Sequence, residues 1–212
     1  IEQYLNEGSI ETPEQLGDLI AGYLRGVIGP AEIVALGHAH RSAMRGDLDE
    51  IRAADERLGA ATLPAEFRNS SRKAGGKLLE LLDDSNDDLL ADTDAEADGS
   101  VTDYRLACQE GQTPGYLPVV LGVVCQASDL ECHEAALVSA YSSVTGLLGA
   151  AQRLGRFGHT AIQAQLSRLF PIIESVCTEY HDADLRAMYA FAPMVDVMGM
   201  NHERADRRLF SS

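Results

Sequence analysis

Residues 12–30 read TPEQLGDLIAGYLRGVIGP, and this stretch contains the clearest helix start in the chain. Thr12 stands where an N-cap is expected, Pro13 at the first helical position and Gln15 at the third, which is the pattern of a capping box. Apolar residues then recur at helical spacing: Leu16, Leu19, Ile20, Tyr23, Leu24 and Val27. The pattern predicts an amphipathic helix that the Gly29-Pro30 pair breaks.

Working outward, the same cap and periodicity signals predict helices along the rest of the chain. The apolar run from Leu117 to Val124 is compatible with a buried strand or a buried helix, and the absence of a partner strand favours the helix. Ser128 and Glu131 predict a second capping box, and Pro171 and Pro193 are expected inside helices. The predicted ranges are about 33–46, 47–58, 64–82, 117–124, 128–154, 160–180 and 183–198. The predicted fold is an all-α, single-domain helical bundle covering residues 1–212.

Composition narrows the class of function. The 212 residues carry 17 Lys and Arg against 33 Asp and Glu, a formal net charge of -16, which argues against nucleic acid and anionic membranes as partners. No signal peptide and no apolar run of about 18 residues is evident, so we expect a cytoplasmic protein without a membrane span. Cysteines at positions 108, 125, 132 and 177 lack CxxC pairing, and we interpret them as buried reduced thiols.

An acidic stretch interrupts the helical pattern. Between Asp83 and Asp98 eight acidic residues occur without a basic one, which predicts a solvated, mobile loop at about residues 83–99. Asp94, Glu96 and Asp98 alternate before a glycine as in a calcium-binding loop, but the twelfth position holds Arg105 instead of the bidentate Glu that calcium needs. The sequence therefore argues against a calcium site.

The search for chemistry finds only partial metal-binding patterns. Cys177 and His181 are four residues apart on one predicted helix, a spacing that would supply half of a zinc or nickel site. We favour the interpretation of a buried Cys beside a surface His. His38 and His40 point apart on a helix, and so do Cys132 and His133. Because GxSxG, a Walker loop, GxGxxG and HExxH are all missing, an enzyme is a minority interpretation. A free-standing metal-binding or metal-sensing protein, or a small helical hydrolase, remains open.

Two surfaces are candidates for protein contact. Glu66, Arg68, Ser71 and Arg72 form either an ion-paired surface or a contact surface. The tail from Asn201 to Ser212 ends in apolar residues where free ends are normally polar, which predicts docking on this fold or on a partner.

Three blocks of sequence, taken together, resemble the urease accessory protein UreF family. The first is Glu66-Phe67-Arg68 with Ser71, Gly75 and Leu78. The second is Ala150-Ala151-Gln152-Arg153-Leu154, followed by Gly158-His159 and Gln163. The third is His202-Glu203, followed by Arg208-Leu209-Phe210 and Ser212. The resemblance covers nearly the whole chain from Glu2 onward.

The resemblance implies an all-helical, usually dimeric, non-catalytic chaperone without a cofactor or a resident metal. Such proteins join a UreD/UreH-type accessory protein and the GTPase UreG on apo-urease and help deliver nickel. We expect this chain to gate GTP hydrolysis. Arg68 and Arg153 would be candidates to lend a guanidinium to the developing phosphate charge, but a structural salt bridge is the favoured interpretation for each of them. The candidate partner-binding residues are Glu66, Arg68, Ser71, Arg153, Gln163, His202, Glu203, Arg208, Leu209, Phe210 and Ser212.

Overall fold

The computed structural model describes residues 1–84 and 95–203, and within these ranges the chain is helical and contains no strand. The predicted all-α fold is confirmed. A π-helix spans Leu24–Ile33 and a short 3₁₀ helix spans Leu185–Ala187. The α-helices are α1 (Glu2–Asn6), α2 (Pro13–Tyr23), α3 (Val34–Ala43), α4 (Leu48–Ala61), α5 (Ala65–Asp84), α6 (Ala95–Gln109), α7 (Leu117–Ala127), α8 (Cys132–Arg153), α9 (His159–Tyr180) and α10 (Pro193–Glu203).

The stretch from Pro13 to Ala43 is one continuous helix of mixed type. It begins as predicted, because the Thr12 hydroxyl accepts the N–H of Gln15 at 3.3 Å and the Gln15 side chain accepts the N–H of Thr12 at 3.1 Å. The predicted break at Gly29-Pro30 is wrong. The backbone widens into the π-helix over this pair and then resumes as α3. A wider turn is one way for a helix to accommodate a proline, which lacks an N–H.

A second segment supplies the hydrogen bonds that Pro30 disturbs. Residues 181–192, called the strap here, follow α9 and run back along the mixed helix. In an α-helix the carbonyl of Gly26 would bond to residue 30, which has no N–H; here it accepts the N–H of Phe191 at 2.7 Å. The carbonyl of Pro30 accepts the N–H of Tyr189 at 3.1 Å. These contacts hold residues 188–192 outside any helix. The helix predicted at about 183–198 is therefore wrong before Pro193, which starts α10.

The mixed helix lies between two apolar cores. Its first half packs with α1, α8 and α9 around residues such as Leu16, Ile28 and Leu169. Its second half packs with α4, α6 and α7 around residues such as Ile51 and Val120. The Leu117–Ala127 segment is helical, as predicted, and it is almost wholly buried against α3. This arrangement makes the mixed helix the shared wall of both cores.

Other boundaries follow local caps. Asp47 accepts the N–H of Glu50 at 3.2 Å and caps α4, as predicted. The capping box predicted at Ser128 is wrong, because Glu131 is the N-cap of α8 and pairs with Glu134. The helix α9 continues through Pro171.

The acidic loop predicted at about residues 83–99 differs from the structure at both ends. Helix α5 extends to Asp84 and α6 already begins at Ala95, so the register considered for calcium is helical from Ala95 onward. Residues 85–94 lie outside the described residues.

Asp55 fixes the loop that leads into α7. Its fully buried carboxylate accepts the hydroxyls of Tyr104 (2.9 Å) and Thr113 (2.7 Å) and the N–H groups of Gly115 (2.6 Å) and Tyr116 (2.9 Å). Burial raises the pKa of this carboxyl, and the four donors oppose that rise. The buried acid therefore ties α4, α6 and the 113–116 loop together.

The stretch Pro13–Ala43 is long and apolar enough to cross a membrane, with a mean hydropathy of 1.5. However, 61% of its most apolar part is buried inside the fold, as in the core helix of a folded domain. Its packing between the two cores explains its apolar composition.

Candidate functional site

A cavity of about 430 Å³, called the central cavity here, opens beside the π-helix. Its walls come from α1, α2, the π-helix, α5, α7, α8 and α10, so it is formed by residues far apart in the sequence. Most of the wall is apolar, with one carboxylate, two tyrosines and several serines. The lining residues are Ile1, Tyr4, Leu19, Ile20, Tyr23, Glu32, Phe67, Ser70, Ser71, Ala74, Leu117, Pro118, Leu121, Ser139, Ser142, Ser143, Leu147 and Val195.

Several predicted partner-binding residues lie around this region. Ser71 lines the central cavity, and Glu66 and Arg153 line an adjoining cavity of about 380 Å³ that shares Tyr4 and Phe67 with it. Arg68 lines a smaller pocket of about 50 Å³ on the side of Tyr23 and Glu32. Residues from two separate sequence blocks, on α5 and α8, thus meet around one set of cavities.

Ser71 and Gly75 have clear structural roles. The Ser71 hydroxyl accepts the N–H of Leu117 at 3.1 Å and so caps α7, whose own N-cap residue gives no side-chain bond. A Cβ at Gly75 would overlap the carbonyl oxygen of Gly115, so only glycine allows α5 to approach the loop this closely. This part of the first block therefore positions α5 against α7.

Arg68 also makes structural contacts. Its Nη1 donates to the carbonyls of Thr62 and Leu63, both at 2.6 Å, at the C-terminal end of α4. These bonds are to backbone carbonyls, whereas the sequence led us to consider a salt bridge. The guanidinium is therefore anchored at the end of α4.

The remaining predicted residues are dispersed. Gln163 is exposed on α9 and does not line the described cavities. His202 and Glu203 fall at the end of α10. The rest of the docking tail predicted at 201–212, with Arg208, Leu209, Phe210 and Ser212, lies outside the described residues.

The structure adds an exposed apolar stripe that the sequence reasoning missed. Phe191, Met194, Val197 and Met200 are 73%, 59%, 49% and 37% exposed and recur every three residues along the strap end and α10. The opposite face of α10 packs inward, where Met198 joins the first core and Gly199 approaches Phe67. The apolar residues at every third position are visible in the sequence. The stripe was not predicted, because the predicted helix ended at Met198.

The electrostatics of the central cavity centre on Glu32. Burial raises the pKa of this carboxyl to about 7. Burial and the charges of Glu32 and Asp196 raise the pKa of Tyr23, so this phenol stays protonated. Glu32 is the sole acidic residue in the sequence between Asp18 and Asp47, a signal that could have identified it.

Cys177 and His181, which were considered as half of a metal site, each make other contacts. Cys177 is fully buried, and its thiol pKa is raised to about 12 by burial, with a smaller contribution from Glu174. His181 instead contacts His133 edge to face, with ring centroids 5.1 Å apart, and its Nδ1 donates to the Cys177 carbonyl at 3.0 Å. Among the described residues, no group of three or more His, Cys, Asp or Glu side chains is arranged to hold a metal ion.

Comparison with known proteins gives a consistent picture. A sequence model of the UreF family matches residues 10–170. The urease accessory protein UreF of Trichodesmium erythraeum (strain IMS101) is 29% identical over 212 residues, which are 100% of this chain and 87% of that protein. Urease accessory protein UreF 1 of Brucella melitensis is 30% identical over 177 residues, 84% of this chain and 69% of that protein. UreF of Yersinia pestis (strain Pestoides F) is 30% identical over 174 residues, 82% of this chain and 72% of that protein.

Proposed function

Since the chain belongs to the UreF family, we propose that it is a non-catalytic adaptor in urease maturation. In this role it links a UreD/UreH-type accessory protein and the GTPase UreG to apo-urease and modulates GTP hydrolysis while the nickel site is assembled. It acts in the cytoplasm, as a homodimer, and its contribution is to hold partners in place, without binding nickel itself.

The observation that carries the proposal is the exposed apolar stripe on the strap end and α10. Large apolar side chains that share one helix face and stay in water are typical of a surface that binds another protein. Met194, Val197 and Met200 form this face, and it leads directly into the predicted docking tail at 201–212. We assign the stripe and the tail to one continuous contact with the UreD-type protein.

The charge of the chain supports protein partners. A formal net charge of -16 repels nucleic acid and anionic lipid and favours association with basic protein surfaces. An adaptor of this kind acts on a GTPase by binding one state of its switch loops more tightly than the other. Arg153, which borders the cavity of about 380 Å³, and Arg68 are the candidates to contribute to GTP hydrolysis.

Co-purification tests the adaptor role. The intact chain, co-expressed with the UreD-type protein and UreG, should bring down both partners. The double variant Met194→Glu/Val197→Glu places two charges on the stripe and should reduce recovery of the UreD-type protein at least tenfold. Met44→Glu is the matched control, because Met44 is 65% exposed at the end of α3, away from the stripe.

The outcomes separate the parts of the proposal. Recovery of neither partner by the intact chain would contradict the adaptor role. Equal recovery with the stripe variant and with Met44→Glu would leave the adaptor role standing but would remove the stripe from the contact. The rate of GTP hydrolysis by UreG, measured with and without the chain, tests the regulatory part separately.

A further inference from the structure

We propose that the central cavity is a binding site for an alkylammonium group, with the ammonium against Glu32 and the alkyl stem along the apolar wall. The ligand chemistry is that of a primary amine on an unbranched apolar chain, as in a free alkylamine or a lysine side chain. The proposal concerns the isolated chain and does not rest on the proposed adaptor function.

The size and lining of the cavity fit a small amphipathic ligand. A volume of about 430 Å³ lies within the range of small-molecule sites, which combine apolar walls with a few polar groups. Leu19, Ile20, Leu121 and Leu147 supply an apolar wall for a stem of methylene groups. Such a stem would remove this wall from water and gain hydrophobic stabilisation.

The polar groups of the cavity include a carboxyl and a tyrosine hydroxyl that can accept hydrogen bonds from a ligand. No Lys, Arg or His side chain is among the described residues that line it. The α-ammonium of Ile1 also lies at this wall, but it interacts with Glu2 and Glu66, and burial is what raises the pKa of Glu32. Tyr4 is 7% exposed, and its hydroxyl has no hydrogen-bond partner within residues 1–84 and 95–203. An ammonium carries three N–H donors and one positive charge, which match the carboxylate and the hydroxyls around it.

An organic cation fits this site better than a metal ion. A structural zinc ion takes four ligands and calcium takes six or more, whereas the cavity wall provides one carboxylate and no His or Cys among the described residues. Tyr4 and Tyr23 also line the cavity, and an aromatic ring attracts a cation placed over its face.

The pKa of Glu32 depends on its burial and would change if a cation bound beside it. Its pKa of about 7 is set by burial. The charged or titratable groups that line the same cavities are the Ile1 α-amino group, Tyr4 from α1, Tyr23 from α2, Asp196 from α10 and Arg68 from α5. Arg68 bonds to the carbonyls at the end of α4 and does not lower this pKa. A bound ammonium would stabilise the ionised carboxylate and would therefore lower the pKa of Glu32.

The test uses two probes of equal length, n-pentylammonium chloride and 1-pentanol, titrated calorimetrically into the intact chain at pH 8. We expect the amine to bind at least tenfold more tightly than the alcohol, about 1.4 kcal/mol by the standard conversion. Glu32→Gln keeps the shape and removes the charge, and should bring the two affinities together. Glu56→Gln, at an exposed position on α4, should leave the difference unchanged.

A second variant tests the place of binding. Ala74→Leu extends a side chain into the central cavity and should weaken both probes, whereas Glu32→Gln should weaken only the amine. Carboxyl-carbon NMR on the unmodified chain provides a measurement without any variant, because n-pentylammonium should lower the pKa of Glu32. Equal binding of amine and alcohol, or a pKa that does not move at saturating amine, would overturn the proposal.

Co-purification distinguishes the two possible sources of the ammonium group, a partner's lysine and a free amine. If a partner's lysine enters the cavity, Glu32→Gln should weaken co-purification with the partners while Glu56→Gln does not. If the ligand is a free amine, co-purification stays unchanged and the probe binding remains. Failure of the adaptor role would leave the calorimetric result intact, so the two proposals fail independently.

Discussion

The carbonyl oxygen of Gly26 accepts the backbone N–H of Phe191 at 2.7 Å, and this bond joins the π-helix to the strap. Gly26 is four residues before Pro30, so it is the carbonyl that the proline leaves without its α-helical partner. A Cβ at Gly26 would overlap the carbonyl oxygen of Phe191. Gly26 therefore has two roles: its lack of a side chain lets the strap backbone approach the helix, and its carbonyl oxygen accepts a hydrogen bond from the strap.

We predict that Gly26→Ala destabilises the protein by about 2 kcal/mol, because the new methyl group displaces the strap and weakens its bonds. Gly22→Ala is the matched control in the same mixed helix. No atom of the described residues outside its own helix backbone lies within 4 Å of a Cβ at Gly22, so this variant should be stabilised by up to about 1 kcal/mol through helix propensity. Urea unfolding of both variants measures the difference, and an equal response would contradict the proposed contact.

Asp55 leads to a prediction about the loop before α7. In Asp55→Asn one carboxylate oxygen becomes an N–H₂ donor, so at least one of the four donors that now bond to Asp55 loses its acceptor. We expect a loss of about 2 kcal/mol in the free energy of unfolding. Asp49→Asn, on the same helix with a side chain 94% exposed, should change stability by less than about 0.5 kcal/mol. Chemical denaturation would contradict the role of Asp55 if both variants behaved alike.

These features show which parts of the fold are readable in the sequence. Thr12 and Asp47 were predicted correctly as caps because a cap acts on residues two or three positions away. The continuation of the helix through Pro30 was not predicted, because its extra hydrogen bonds come from Tyr189 and Phe191 in a distant segment. A local pattern contains no signal for donors that only folding brings near.

Less of the candidate site than of the fold could be predicted from the sequence, for the same reason. The resemblance singled out residues on α5 and α8, and Glu66, Ser71 and Arg153 do lie around adjoining cavities. Glu32 was not singled out, because its importance comes from burial among residues of six other helices. The same limitation applied to the pair formed by His133 and His181, since each had been weighed only against its neighbours in sequence.

Glu32 predicts a stability difference that depends on pH. Its pKa is raised from 4.5 to about 7 in the folded protein, so between these values the native state holds the proton more tightly than the unfolded state. The contribution of this proton to stability is present below about pH 4.5 and is lost as pH rises through about 7. Glu32→Gln has no such charge, and should be more stable than the unmodified protein at pH 8 by up to about 3 kcal/mol, with little difference at pH 4.5.

Thermal unfolding of Glu32→Gln across pH 4.5 to 8 measures this difference. Glu56→Gln, at its exposed position, should track the unmodified protein at every pH. A constant offset between Glu32→Gln and the unmodified protein would show that Glu32 does not titrate differently in the two states, and the inferred burial effect would be wrong.

Ser71 and its neighbour Ser70 separate a structural role from a partner-binding role. The Ser71 hydroxyl accepts the N–H of Leu117, so Ser71→Ala should lower stability by about 1 kcal/mol, as expected for loss of a helix cap. Ser70 is exposed on the same helix and lines the central cavity without a comparable bond to α7 in the described part of the chain. Ser70→Ala should therefore change stability by less than about 0.5 kcal/mol.

If Ser71 acts through α7 alone, co-purification with the UreD-type protein below the unfolding temperature will be the same for both variants. Selective loss of the partner in Ser71→Ala would instead make Ser71 a direct contact.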